Sequence, residues 1–145
     1  MSDPAVIDAE HETFWITFLR TELAALAGQY PVLVGVKIAR SEPEAGHPFP
    51  EKLIVVRDDG TSDTSLITGD TGMGISCFAG SRESPKPAMD IARIVKAVVK
   101  TAPRPAPGNP VAVIRDINGP YLVAEAALRA RAYLNFTAGT VAEAL

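Results

Sequence analysis

Cysteine and histidine are scarce in this sequence. Cys77 is the only cysteine, so neither an internal disulfide nor a multi-cysteine metal site can form. The two histidines, His11 and His47, fall on a predicted helix and in a predicted loop, and neither has a second ligand at metal-binding spacing. We therefore expect a fold that is stabilised by packing alone, with no bound metal and no cofactor.

Basic clusters and long apolar runs are also missing. The 14 Lys and Arg residues form no run and the formal net charge is −3 at pH 7, whereas proteins that coat nucleic acid carry clustered cations. No segment reaches the roughly 20 apolar residues of a membrane span. The start, MSDPAVIDAEHE, is acidic where a signal peptide would be basic and then apolar. These features favour a protein made and kept in a cytoplasm, with no avid DNA binding and no membrane partner.

The chain does have enough apolar residues for one compact domain. Its 145 residues are 47% hydrophobic, which suits a single core, and the chain is too short for two domains of ordinary size. We expect a single domain over residues 1–145, with flexible tails at 1–5 and 138–145.

The first half of the chain predicts a helix followed by strands. Apolar residues at spacings of three and four indicate a helix of about twenty residues that ends before Pro31. A strand is expected over 32–40 because that segment is rich in β-branched residues, and a proline-rich loop follows over 41–50. The next expected strand covers 53–57, and the Asp-Asp-Gly sequence at 58–60 predicts its turn.

The middle of the chain predicts a hairpin. Segment 61–74 is polar and rich in glycine, which favours a long, mobile hairpin arm, with a brief strand at Leu66 and Ile67. Alternation then resumes and places three apolar side chains on one strand face: Met73, Ile75 and Cys77.

The second half predicts another helix and a closing strand. The helix begins after Ser84 with a proline in its first turn, and its buried stripe consists of Ile91, Ile94, Val95, Val98 and Val99. From Leu128 to Phe136 apolar and polar residues alternate, as in a strand with one buried face. The whole order predicts an α+β fold of two helices packed on a mainly antiparallel sheet with a long hairpin arm.

Several short motifs invite a catalytic interpretation, and each has a plainer one. TGDTGMG is followed by a strand, so no helix N-terminus would face a phosphate. In GISCF, Phe78 stands where a nucleophile elbow needs its second glycine. Cys77 shares a strand face with apolar residues, which favours an inert, buried thiol. The aspartates of 58–70 lack the spacing of a calcium loop. We expect no catalytic, cofactor-binding or metal-binding residues, and no enzyme.

The order of several motifs is similar to that of a known protein family. KLIVVRDDG, ISCFAGSRESPKPAMDIARIVKAVV and INGPYLVAEAALRARAYLNF follow one another after the first helix. This arrangement resembles the tail terminator proteins of long-tailed phages, particularly those of actinobacterial hosts, and the resemblance covers residues 32–136. The positions that carry it are Arg57, Gly60, Cys77, Phe78, Ala79, Gly119, Pro120, Tyr121, Arg131, Ala132 and Tyr133.

The resemblance implies a structural role in the virion. It implies a ring of six copies that caps the tail tube, stops further addition of tube protein and offers its other face to the head-side connector. It also implies assembly in the host cytoplasm, a final location in the tail neck, and DNA that passes through the lumen without specific binding. The connector segments 101–110 and 43–50 are longer than the family pattern, which leaves the details of the contacts open.

The polar arm and three strand arginines are the expected contact residues. The arm over 61–71 is expected to reach a neighbouring copy or the tube, and its deletion to abolish capping while the monomer still folds. Arg57, Arg129 and Arg131 are expected either to pair with acidic groups across the ring or to form a solvated sheet face. The full set is Arg57, Asp58, Asp59, Thr61, Asp63, Thr64, Ser65, Asp70, Thr71, Arg129 and Arg131.

Two alternatives remain open on the sequence. One is another neck or tail-completion protein, which would share the ring geometry but contact the head connector. The other is a small ligand-binding or enzymatic α+β oligomer, with a pocket beneath a loop over 68–74.

Overall fold

The computed structural model describes residues 5–124 and 129–144. Within these ranges the fold has two α-helices, a five-stranded sheet and a separate two-stranded sheet. The elements are β1 Val6–Ile7, α1 His11–Leu26, β2 Lys37–Ala39, β3 Leu53–Asp63, β4 Thr68–Phe78, α2 Lys86–Val99, β5 Val111–Leu122, β6 Arg131–Val141 and β7 Glu143–Ala144. The predicted α+β class, with two helices on a mainly antiparallel sheet, is confirmed.

The large sheet has the strand order β2-β3-β4-β6-β5. β2 is parallel to β3, and the other neighbours are antiparallel. β6, the last of the long strands in the chain, therefore lies between β4 and β5. The short strands β1 and β7 pair with each other.

The core lies between the helices and one face of this sheet. Alternate residues of β4 and β6 are buried there, as the sequence predicts, with Met73, Ile75 and Cys77 on β4 and Ala132, Leu134 and Phe136 on β6. Trp15 of α1 is fully buried and packs edge-on against Phe136, with 5.0 Å between the ring centroids. Each buried aromatic ring removes a large apolar area from water, so this contact helps to fix α1 on the sheet.

The predicted second helix is also confirmed. α2 begins at Lys86, with a proline in its first turn, and four of the five predicted stripe residues are buried. The fifth, Ile94, is partly buried and packs against the core. α1 is shorter than expected, at 16 residues, and ends at Leu26.

The expected strand over 32–40 is mostly wrong. A single turn of 3-10 helix, Pro31–Leu33, comes first, and β2 contains only three residues. Pro31 fixes the backbone at the start of that turn, and Gly35 has φ +80, which is incompatible with an extended strand. Val32 and Val36 of this segment pack against the core, whereas Val34 is exposed.

The expected turn at 58–60 is a β-bulge within a longer strand. β3 continues to Asp63, and its register with β4 shifts between Asp58 and Thr61. The N–H of Gly60 donates to the Asp58 carboxylate at 2.7 Å, and Gly60 has φ +108. The Asp-Asp-Gly chemistry is therefore used for a local backbone distortion, which the strand absorbs without reversing direction.

The hairpin that follows is long but is not a free arm. β3 and β4 remain paired from Leu53 to Asp63, and β6 runs beside β4 as far as Val141. The expected C-terminal tail from 138 is therefore wrong over 138–141, which belong to a central strand. Residues 68–74, expected as a loop above a pocket, lie in β4 between two partner strands. Residues 1–4 of the expected N-terminal tail, and Leu128, lie outside the described residues.

The second sheet face carries a smaller apolar cluster. Leu53, Val55 and Phe78 are buried there, and Phe49 from the proline-rich loop packs against them. The rings of Phe49 and Phe78 meet edge-on, with centroids 5.3 Å apart. The loop over 41–50 thus covers one end of this face.

Candidate functional site

The β3–β4 hairpin is fastened to α1 by buried hydroxyl groups a few residues before its turn. Thr71, which is fully buried, lies 2.8 Å from the hydroxyl of Thr61, 3.3 Å from His11 Nε2 and 3.3 Å from the hydroxyl of Thr140. Thr140 also donates to the carbonyl of Gly69. Thr71 therefore belongs to the core, and the expectation that it contacts a partner is wrong.

The bulge lies against the start of α1. The N–H of Asp58 donates to the Glu12 carboxylate at 2.9 Å. A polar cleft of about 460 Å³ opens here, lined by Glu10, Glu12, Asp58 and Arg40 among others. Asp58 and Asp59 are exposed, so both remain accessible to a partner. Three carboxylates around one guanidinium make this cleft electrostatically unsuited to an anion.

The hairpin ends in an ordered turn over 64–67. The N–H groups of Thr64 and Ser65 both donate to the carbonyl of Thr68, and the hydroxyl groups of Thr64 and Ser65 lie within 2.8 Å of the Thr68 hydroxyl. The carbonyl of Ile67 accepts the N–H of Ala142 at 2.8 Å, which ties the turn to the end of β6. Thr64 and Ser65 thus shape the turn, as well as being exposed on it.

Two apolar side chains project from this turn. Leu66 is 62% exposed and Ile67 is 50% exposed. The sequence interpretation placed them in a brief strand, which is wrong. The sequence does contain a signal for their exposure, which is an apolar pair between Thr, Ser and Asp residues. Such a pair at a turn has no neighbouring layer that could cover it.

The three strand arginines have different surroundings. Arg57 is exposed on β3, opposite Gly74, and pairs with no acidic side chain in the described part of the chain. Arg129 lies over the Phe49 ring, 4.0 Å from its centroid, and forms an ion pair with Glu42 at 2.8 Å.

Arg131 also finds partners within the chain. It donates through Nε to the hydroxyl of Ser76 and lies 5.7 Å from the centroids of the Phe78 and Tyr133 rings. Of the three, Arg57 therefore fits the predicted contact across a ring best.

The remaining predicted contact residues lie along the hairpin. Asp70 pairs with Arg115 of β5 across β6. Asp63 ends β3 beside the turn and is exposed. The structure therefore brings most of the predicted set together on one hairpin, and only Thr71 is removed from the surface.

A groove between the two helices was not anticipated from the sequence. It has a volume of about 850 Å³, and its floor is aliphatic, with Leu26, Val32, Ile94 and Val98. Charged side chains border it, and an ion pair at 3.1 Å joins Arg104 to Glu22 of α1. Ile94 was predicted as a stripe residue, but periodicity could not show that the helices leave this side chain and that of Leu26 partly uncovered.

Chemistry at the single thiol is suppressed by burial. Cys77 is fully buried, and desolvation raises the pKa of its thiol to about 12. The expected inert, buried cysteine is confirmed. Within residues 5–124 and 129–144, no three His, Cys, Asp or Glu side chains are grouped so that they could hold a metal ion. Neither helix in those ranges has the length and apolar content needed to cross a membrane.

No protein-family model matches the chain, and no curated protein matches it.

Proposed function

We propose that this chain is a structural virion protein of the tail terminator type. Six copies form a ring that caps the tail tube, stops its polymerisation and joins the tail to the head-side connector. The chain acts by assembly and not by catalysis, and the phage DNA passes through the ring lumen without specific binding. Its place in the virion is the tail neck.

The observation that carries this proposal is the position of the resemblance motifs in the fold. The Cys-Phe-Ala motif at 77–79 closes β4 and leads into α2, the Gly-Pro-Tyr motif at 119–121 lies on β5, and the Arg-Ala-Tyr motif at 131–133 opens β6. These three motifs thus lie in or directly after the strands of one continuous sheet. Arg57 and Gly60, which the resemblance places at a strand end and its turn, lie instead in β3 at or beside the bulge. The order of the motifs along the chain, and their place in one sheet, support the proposal.

The edge of the sheet at β5 supports a role in assembly. β5 has 12 residues and pairs with β6 on one side only. Three of its large apolar side chains are exposed: Val113, Tyr121 and Leu122. An edge strand with exposed apolar side chains favours contact with another chain.

Electron microscopy of the purified chain tests the proposal. Particles are classified by symmetry across a concentration series, alone and with tail tubes, and tubes without the chain are the control. Six-fold rings, and caps on tube ends, are the expected result. Compact dimers or trimers that ignore tubes would overturn the proposal and favour a ligand-binding or enzymatic oligomer. Rings that bind a head connector but not tubes would indicate another neck or tail-completion protein.

A further inference from the structure

The tip of the β3–β4 hairpin is a small apolar surface held in a fixed shape. Leu66 and Ile67 project into solvent, and Val141, which pairs with Thr68, is exposed beside them. The backbone hydrogen bonds from Thr64 and Ser65, and that from Ala142 to Ile67, hold the turn in place. Binding through such a tip loses little conformational entropy, because the turn is already ordered.

The groove between α1 and α2 is an apolar surface that no other described part of the chain covers. Its aliphatic floor is large enough for two branched side chains, and Ala97 forms part of its wall as a small, exposed residue. Concave apolar sites of this kind bind convex apolar groups.

Charge makes the two surfaces complementary. Asp63 is exposed next to the tip, and Arg93 is exposed on α2 in the wall of the groove. Neither forms an ion pair within the described residues. An acidic group beside the apolar tip therefore matches a basic group beside the apolar groove.

The tip of one molecule cannot reach its own groove. Thr71, close to the tip, contacts His11 at the start of α1, whereas the groove begins at Glu22 and extends to Tyr30 on the α1 side. From His11 to Glu22 the helix rises about 16 Å along its axis. Since β6 also holds the hairpin in the sheet as far as Val141, the tip can fill only the groove of another molecule.

We propose that the hairpin tip, with Leu66 and Ile67, inserts into the helix groove of a second copy of this chain, where Asp63 pairs with Arg93. The contact joins two different surfaces, so it is heterologous and repeats from copy to copy until a ring closes. This inference rests on the proposed function for the expectation that the product is a closed ring.

A cross-linking experiment tests the contact directly. One preparation carries Leu66→Cys and a second carries Ala97→Cys. Both positions are exposed, so neither substitution changes the hydrophobic core. The native Cys77 is fully buried, so wild-type protein gives the background. Under mild oxidation we expect a disulfide-linked dimer in the mixture of the two variants and not in either variant alone. Linked dimers from Leu66→Cys protein alone would indicate a tip-to-tip contact and overturn the proposal.

A charge exchange tests the pairing. Self-association of the full chain is measured by sedimentation velocity at low salt. We expect Asp63→Arg and Arg93→Asp each to weaken association about tenfold, and the double variant to recover most of that loss. The double variant Leu66→Ala/Ile67→Ala is expected to weaken association by at least about tenfold. Val34→Ala, at another exposed aliphatic residue outside the groove wall, is the control and should change nothing.

Other outcomes separate this inference from the proposed function. Normal six-fold rings from the tip variants would overturn the tip-to-groove contact and leave the terminator proposal standing. Linked dimers that grow into filaments or small oligomers without capping tubes would support the contact and overturn the terminator proposal. Failure of the native chain to self-associate at any concentration, or saturable binding of a nucleotide in the groove with no change in association, would overturn the contact. Trp15 fluorescence shows that each variant is folded.

Discussion

The Nε2 atom of His11 lies 3.3 Å from the hydroxyl oxygen of Thr71, which is 60 positions further along the chain, and both side chains are buried. Nδ1 of the same ring is buried and has no hydrogen-bond partner among residues 5–124 and 129–144. The contact therefore supplies the imidazole with its hydrogen bond in the core. It also joins the start of α1 to β4, the middle strand of the large sheet. Buried polar groups that lose such a partner carry the full cost of desolvation.

Replacing Thr71 with valine is expected to lower the free energy of unfolding by roughly 1–3 kcal/mol. The change keeps the side-chain shape and removes the hydroxyl that contacts His11, Thr61 and Thr140. Urea unfolding followed by Trp15 fluorescence measures it. Thr137→Val, on the same sheet but only partly buried, should stay within about 0.5 kcal/mol of wild type. A Thr71→Val protein as stable as Thr137→Val would show that the hydroxyl cluster contributes nothing.

The same cluster changes how the hairpin should be tested for function. Deletion of 61–71 was expected to leave the monomer folded. It would, however, remove Thr71 from the core, together with the end of β3 and the start of β4, which are paired in the sheet. Such a deletion is expected to unfold the protein. Substitutions confined to Leu66 and Ile67 change the exposed tip and leave the paired strands intact.

Arg129 is expected to hold the proline-rich loop on the sheet. Its guanidinium lies over the Phe49 ring and 5.1 Å from the Phe78 centroid, and it pairs with Glu42 of the same loop. Arg129→Ala should increase hydrogen exchange of the amides in 41–50 about tenfold, because both contacts of the loop are lost. Arg129→Lys keeps the charge but not the planar stacking and should give a smaller increase. Equal exchange in all three proteins would contradict this.

Cys77 should make the protein less stable at alkaline pH. Its thiol has a pKa of about 12 in the folded chain, against 9.0 ordinarily, because burial disfavours the thiolate. The unfolded chain ionises first, so this contribution is fully present below pH 9 and is lost between pH 9 and about 12. The expected slope is about 1.4 kcal/mol per pH unit in that window.

A Cys77→Ala variant is the control for that slope. It is less stable than wild type at neutral pH because of the smaller side chain, but its unfolding free energy should fall less steeply above pH 9 than that of wild type. Identical slopes would mean that the thiol ionises without cost in the folded state.

Two glycines should respond in opposite ways to alanine. At Gly80, φ is +67 and an added Cβ would lie 2.5 Å from the carbonyl oxygen of Ser84, so Gly80→Ala is expected to destabilise the chain by at least about 1–2 kcal/mol. At Gly28, an added Cβ meets nothing within 4 Å and φ is not positive. Gly28→Ala is expected to be neutral or to stabilise by up to about 1 kcal/mol. Thermal unfolding of the pair checks both, and comparable losses at the two positions would contradict the explanation.

The local parts of the fold could be predicted from the sequence. Periodicity located both helices and the buried face of β6, because these features depend on residues within a few positions of each other. It could not locate the end of β6. Ala138, Gly139 and Thr140 are all buried because β4 and β5 flank that strand to its end, and this pairing is set by segments far away in the chain.

The same distinction applies to the contact residues. The polar composition of the hairpin was enough to predict that Asp63, Thr64 and Ser65 lie on the surface. It could not separate Thr71 from them, because the partners that bury Thr71 lie 60 and 69 positions away. The groove between the helices was also beyond sequence reasoning, since it depends on how far two helices stand apart.

The position of β6 between β4 and β5 has a consequence for biosynthesis. During translation β5 is made before β6, and β6 is the strand with which β5 pairs. The sheet therefore stays open, with the edges of both β4 and β5 bare, until residues 131–141 have left the ribosome. The nascent chain commits to its fold late, and a chaperone that shields exposed strands would act in that interval.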